Sequence, residues 1–199
     1  MATLSIPLRI APRRGALIRG PPLCLLLACL LLLPALRTPA TIAEERYSED
    51  AVKAAFLYRF ADFVNWPSAP DSTDFTIAVL DDEALAAQLQ LLLRNRLVKG
   101  KPAQVRLIES PRQLTDGQIL YIGRAYPGGV HRVMEALGDR PILVVSDEDN
   151  GLSEGAMINF LLVDRRVRFE VSLAAADRAR LQVSSELLSV ALRVQGARP

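Results

Sequence analysis

The chain is short of the residues on which nucleophilic and metal chemistry usually rests. Its 199 residues include two cysteines and one histidine. Both cysteines, Cys24 and Cys29, fall in an N-terminal stretch that reads as a leader. The remainder has none, which excludes a disulfide, a thiol nucleophile and a Cys-based metal site there. His131 stands early in a helical segment beside Arg132 and reads as a surface residue. No G-x-S-x-G elbow accompanies it, so no hydrolase constellation is present. Phosphate loops are missing too. Gly123, Gly128 and Gly129 lie between a strand and a helix, with Arg124 among them. They form neither G-x-G-x-x-G nor G-x-x-x-x-G-K-[ST], although the free N–H groups of that helix start could take an anion. These absences favour a binding or interaction module over an enzyme, and imply no cofactor.

Acidic residues and lysine are absent from the first 43 positions, which hold Arg9, Arg13, Arg14, Arg19 and Arg37. The apolar run Leu23–Leu33 follows the basic segment, and small residues then lead to Glu44. This order predicts a secretory signal peptide over residues 1–43 and an exported domain over 44–199. The run is shorter than the roughly 20 residues of a membrane span. Leu26–Cys29 loosely resembles a lipoprotein box, but cleavage there would leave a greasy new N-terminus. Arg13-Arg14 lacks the hydrophobic consensus of a twin-arginine signal. Five of the 24 Lys and Arg leave with the leader, so 19 stand against 22 Asp and Glu, a net charge near −3. Nucleic-acid binding thereby loses its electrostatic footprint.

What is present is an alternation of helices and apolar strands. Ser48 can cap a helix running to Trp66, where Pro67 stops it. Val52, Phe56, Leu57, Phe60, Phe63 and Val64 fall on one broad face, with Ala54, Tyr58, Ala61, Asp62 and Asn65 opposite. FTIAVLDD reads as a buried strand, EALAAQLQLLLRNRL as a helix ended by Lys99-Gly100, and AQVRLIE as a short alternating strand. QILYIG and PILVVS are further buried strands around the helix VHRVMEALG. The tail differs: MINFLLVD and RVRFEVS form a hairpin at Asp164-Arg165. In it Val167, Phe169 and Val171 face the core, and Arg166, Arg168 and Glu170 face water. Ser184 or Ser185 caps a last helix through SSELLSVALRV. The expected fold is α/β: a single domain with a mixed, mostly parallel sheet flanked by helices, a C-terminal β-hairpin and a closing helix.

Three acids crowd into VSDEDNG behind the strand PILVV. Counting Asp147 as the first position of an EF-hand loop puts Gly151 fifth and Leu152 sixth, so that pattern fails. A looser cation site from Asp147, Glu148 and Asp149 with Asp81 or Asp82 would need the two strand ends to meet. A solvated strand-exit loop is the commoner outcome, and no metal is assigned.

In order and spacing several segments resemble the YfiR family. They are KAAFLYRFADFVNWP, FTIAVLDD, QILYIG, VVSDEDNG and the stretch from Gly155 through Met157-Ile158-Asn159-Phe160 and Val167-Arg168-Phe169-Glu170 to Ser184-Ser185-Glu186-Leu187-Leu188. The resemblance runs from about Ser48 to Val194. It implies an α/β periplasmic regulator that binds the periplasmic sensor region of an inner-membrane diguanylate cyclase. Binding would hold the cyclase off and lower cyclic di-GMP, exopolysaccharide and biofilm. It further implies a homodimer; the charge balance already speaks against a nucleic-acid partner. Some relatives carry disulfides; without cysteine after residue 43, a thiol switch is excluded here.

Two sets of site residues follow. Large side chains at the rim of a buried face suit a protein partner, which points to Tyr58 and Trp66 with Arg59 beside them. The alternative is a periplasmic small-molecule-binding protein. Its ligand would sit at the carboxyl ends of the strands, at Asp82, Gly123, Arg124 and Asp147.

Overall fold

The computed structural model describes residues 40–67 and 73–196, so the leader expected over residues 1–43 lies almost wholly outside it. In chain order α1 is Ala40–Phe63 and β1 is Val64–Asn65. β2 (Phe75–Leu80) enters α2 (Glu83–Leu93), followed by β3 (Leu97–Val98) and β4 (Lys101–Ile108). After a 3-10 turn at Pro111–Gln113 come β5 (Ile119–Ile122), α3 (Gly129–Leu137) and β6 (Leu143–Ser146). The tail is β7 (Ile158–Val163), β8 (Arg166–Ser172), α4 (Leu173–Arg178), β9 (Gln182–Val183), α5 (Ser185–Val190) and β10 (Arg193–Gln195).

Eight strands make one sheet in the order β10-β8-β7-β6-β5-β2-β4-β3, and β1 pairs with β9 apart from it. The β7–β8 and β3–β4 pairs are antiparallel and the others parallel. β2, β5 and β6 are buried at every position. Their unbroken apolar runs are what a strand covered on both faces requires. One face packs under α1, α2, α4 and α5 and holds Phe60, Ile77, Tyr121, Phe160 and Phe169. The other packs under α3 and holds Leu80, Leu120, Ile122 and Val133. Both expected layers are therefore present, around a mixed and mostly parallel sheet. The rings of Phe60 and Phe169 meet edge-on at 5.2 Å, and those of Phe60 and Phe160 stack at 5.8 Å. Such pairs add about 1 kcal/mol each beyond the area they bury.

Several element boundaries differ from the sequence expectation, each for a tertiary reason. α1 begins at Ala40, so Ser48 lies within the helix rather than at its start. It ends at Phe63 rather than Trp66 because Val64 and Asn65 pair with Val183 and Gln182. Its buried stripe is Lys53, Ala54, Leu57, Phe60 and Ala61, continued by Val64 of β1, while Val52 is 40% exposed. The stripe is rotated from the expected face, and the small Ala54 and Ala61 lie inside it. α2 stops at Leu93, and Lys99-Gly100 forms instead the turn between β3 and β4, with φ of 50° and 77°. The last helix stops at Val190, and the chain continues into β10 beside β8.

That added strand changes the fate of Glu170, expected to face water but only 3% exposed. It belongs to a polar row that crosses four strands in register. Ser146 on β6 stands beside Asn159 on β7, Asn159 beside Glu170 on β8, and Glu170 beside Arg193 on β10. Ser146 Oγ donates to Asn159 Oδ1 at 2.6 Å, and Asn159 Nδ2 donates to Glu170 Oε1 at 3.3 Å and to the Glu148 carbonyl at 2.9 Å. Arg193 Nε donates to Glu170 Oε2 at 2.9 Å, with its NH2 group on the same oxygen. Gly151 closes over the row: a Cβ there would overlap Ser146 Oγ and Asn159 Oδ1. The loop after β6 is therefore pinned from below by the sheet itself.

Candidate functional site

Numbered along the chain, the parallel strands β2, β4, β5, β6 and β7 lie in the spatial order 2-1-3-4-5. The order reverses between β2 and β5. In open α/β sheets, ligands bind outside the carboxyl ends of the strands at that switch point. Here the ends supply Asp81 and Asp82 from β2, Gly123 and Arg124 from β5, and Asp147 from β6. They line one cleft of about 680 Å³, closed by Glu49, Asp50 and Lys53 of α1 and by Leu162 of β7. A volume of this order suits a small ligand.

Each group is placed by local structure. Asp82 caps α2, its Oδ1 accepting from Leu85 N at 2.9 Å. Gly123 lets the two strand exits approach: a Cβ there would lie 2.9 Å from the Asp81 carbonyl and 3.1 Å from Asp82 Cβ. Arg124 donates through Nε (3.0 Å) and NH2 (2.7 Å) to the main-chain carbonyl of Asp147. Lys53 reaches in from α1, its Nζ 2.7 Å from both Asp147 Oδ2 and Glu49 Oε1. Burial alone would lower the Lys53 pKa, but the Asp147 and Glu49 carboxylates together outweigh it and the pKa is raised.

For Asp50 and Asp82 burial outweighs the compensation that Lys53 offers. Burial raises the pKa of Asp50, and neighbouring Asp82 raises it further. Asp82 is raised by burial first and by Asp147 as well, against its cap to Leu85. Asp147 Oδ1 and the Tyr121 hydroxyl are both buried without a hydrogen-bond partner. Burial pushes the Tyr121 pKa well up, and the neighbouring Asp147 and Asp82 carboxylates add to the shift.

The four strand-end residues picked out in the sequence, Asp82, Gly123, Arg124 and Asp147, thus share one cleft. Sequence reasoning missed the α1 contribution. The signal was there: Lys53 is four residues before Leu57 and seven before Phe60, on the stripe that becomes buried. The looser cation site does not assemble. Among the described residues no group of three or more His, Cys, Asp or Glu is placed to hold a metal ion. Asp147 turns inward to Lys53, whereas the Asp149 side chain is 92% exposed. At the start of α3, Glu154 Oε2 accepts from His131 N at 3.4 Å, so the protein's own carboxylate stands where an anion would bind. His131 itself is exposed, 3.4 Å from Glu135.

The aromatic set lies elsewhere, on the outer part of α1 and just beyond it. Tyr58 and Trp66 are half-buried and packed against the core. Arg96 lies over the Tyr58 ring and Lys99 over the Trp66 ring, each at 5.6 Å. Trp66 also meets Phe75 edge-on at 5.6 Å. Arg59 is exposed, with only Asp62 at 3.5 Å.

No curated protein matches the chain. Among solved structures it is similar to a conserved domain protein from Vibrio cholerae O1 biovar El Tor strain N16961. Identity is 10% and the TM-score 0.48, over 73% of this chain and 60% of that one. The profile of the YfiR/HmsC-like family matches residues 50–192. That span takes in Lys53, the three strand ends of the cleft and the row from Ser146 to Glu170. The chain belongs to the YfiR/HmsC-like family.

Proposed function

We propose that this protein is a periplasmic inhibitory regulator that binds the periplasmic sensor region of an inner-membrane diguanylate cyclase and lowers cyclic di-GMP. Family membership over residues 50–192 carries this reading, because the family is known for non-enzymatic periplasmic regulators of diguanylate cyclases. A basic, then apolar, leader over residues 1–43 supports export. Among the described residues no helix is long and apolar enough to cross a membrane. The partner surface is assigned to Tyr58, Arg59 and Trp66, and the working form to a homodimer. Arg59 is the member of that surface whose side chain is free to meet a partner without disturbing the core. The test is functional capture. A tagged chain retrieved from detergent-solubilised membranes should bring down an activity that makes cyclic di-GMP from GTP and rises when the chain is released. Capture without that activity contradicts the reading.

A second reading, compatible with the first, is that the cleft at the strand ends holds a small ligand. The observation favouring it is the convergence of Asp82, Gly123, Arg124 and Asp147 at the switch point of the sheet.

A further inference from the structure

β7 and β8 are anchored in the sheet at one end only. β6 pairs with β7 as far as Asn159, and β10 pairs with β8 from Glu170 onward. Leu161 to Arg168 therefore run beyond both neighbouring strands as a projecting hairpin. Asp164 and Arg165, at φ of 49° and 58°, make the tight turn at its tip. The tip is not composed like an ordinary solvated turn. Leu162 is 55% exposed and Val163 37%. Arg165, Arg166 and Arg168 are exposed beside them, and Asp164 is the one acid of the stretch. Residues 161–168 thus carry three Arg less one Asp, a net charge of +2, on a domain near −3. Neither Arg166 nor Arg168 stands in an ion pair among the described residues.

Strand pairing sets the two faces of the hairpin. Leu162 opposes Val167 on the face that continues from Phe160 and Phe169, while Leu161 opposes Arg168 and Val163 opposes Arg166 on the other. Exposed aliphatic side chains thus stand on both faces of the tip. A groove in a protein covers one face of a hairpin; a lipid interface surrounds both. We propose that the hairpin seats the protein on an anionic lipid bilayer, with Leu162 and Val163 entering the interface and Arg166 and Arg168 binding lipid phosphates. Aliphatic side chains favour the boundary between headgroups and acyl chains, and the planar fork of Arg binds phosphate bidentately. The acidic remainder of the domain is repelled by the same surface, so the basic tip is the part that approaches. Trp66 packs on Phe75 at the start of β2, whereas the tip follows the end of β7, which runs in the same direction. The two lie at opposite ends of the sheet, so lipid at the tip leaves the Trp66 end open to a protein partner.

Co-sedimentation with vesicles of phosphatidylcholine alone, and of phosphatidylcholine mixed with phosphatidylglycerol, tests the proposal. Both core layers are built from residues between Ala54 and Leu187, so residues 44–199 carry the whole core and are used without the leader, whose apolar run would itself bind lipid. The expected result is binding to the mixed vesicles that falls with salt and is about ten-fold or more weaker on phosphatidylcholine. Arg166→Glu with Arg168→Glu should weaken it by about ten-fold or more, since each cation near an anionic surface changes partition roughly five-fold. Leu162→Ser with Val163→Ser should weaken it several-fold at any salt. All four side chains are exposed, so the variants should melt close to the parent, and Arg166→Gln with Arg168→Gln supplies a milder pair. Equal binding to both kinds of vesicle, or binding unchanged in the arginine variants, overturns the proposal. Arginine variants that keep vesicle binding but no longer capture a cyclase would make the hairpin a protein-docking surface instead. The vesicle assay contains no cyclase, so its failure leaves the inhibitor reading standing.

Discussion

Lys53 and Asp147 are 94 positions apart and meet at 2.7 Å, both buried. The contact ties the first described helix to the end of β6 and so fixes one wall of the cleft. Removing one partner of a buried pair strands the other charge, at about 3–5 kcal/mol. Lys53→Met is therefore expected to lower Tm by on the order of 10 °C. Lys53→Met with Asp147→Asn should cost at least about 1 kcal/mol less than the two singles added. Chemical denaturation of the four proteins measures this, and strict additivity would show the pair to be uncoupled.

The polar row gives a second expectation. Gly151→Ala drives a methyl into Ser146 Oγ and Asn159, and should cost about 1–3 kcal/mol through overpacking. Adding Ser146→Ala removes one of the colliding atoms and should recover part of the loss. A Gly151→Ala protein as stable as the parent would mean that the loop does not close over the row.

Asp50 predicts a pH dependence of definite sign. Its pKa is raised in the folded state, first by burial and then by Asp82. An acid of this kind contributes stability that is full below its unfolded pKa, near 4, and is lost as pH rises through the raised folded value. Asp50→Asn should therefore match the parent at low pH and exceed it at neutral pH. The gain should be modest, about 2 °C at most, because the group is more than half solvent-screened. Melting curves from pH 3.5 to 7.5 measure it. A variant less stable than the parent at pH 7 contradicts an acid held above its ordinary pKa.

The partner surface is open to a charge test. Arg59→Glu changes an exposed side chain and should leave Tm within about 2 °C. Repression of cyclic di-GMP should nonetheless fall several-fold. Phe60→Ala, one residue on but fully buried, should lose about 3–5 kcal/mol and lower repression only by lowering the amount of folded protein. Full repression by Arg59→Glu removes Arg59 from the interface.

Much of the fold was legible because its central strands are unbroken apolar runs bounded by acids, Gly or Ser. FTIAVL, ILYI and LVVS carry their burial on their face, and the Asp164-Arg165 hairpin shows in the alternation of β8. The strand-end residues were legible for the same reason, since an α/β sheet puts its functional positions where such runs stop. Short pairings were not. Val64-Asn65 and Leu97-Val98 become strands only because Gln182-Val183 and Lys101-Pro102 come alongside. Glu170 reads as a wet residue in an alternating strand, and no local pattern announces that β10 will cover it. Lys53 was hidden by its type: a lone lysine on an apolar stripe reads as the stripe's edge until Asp147, far along the chain, is found opposite.

Cellular cyclic di-GMP tests the central claim most directly, measured in a strain lacking this gene and after its restoration with and without residues 1–43. The account predicts a rise on deletion, reversed by the full chain and not by the version without its leader. A level unchanged by deletion would contradict the inhibitor reading for this chain.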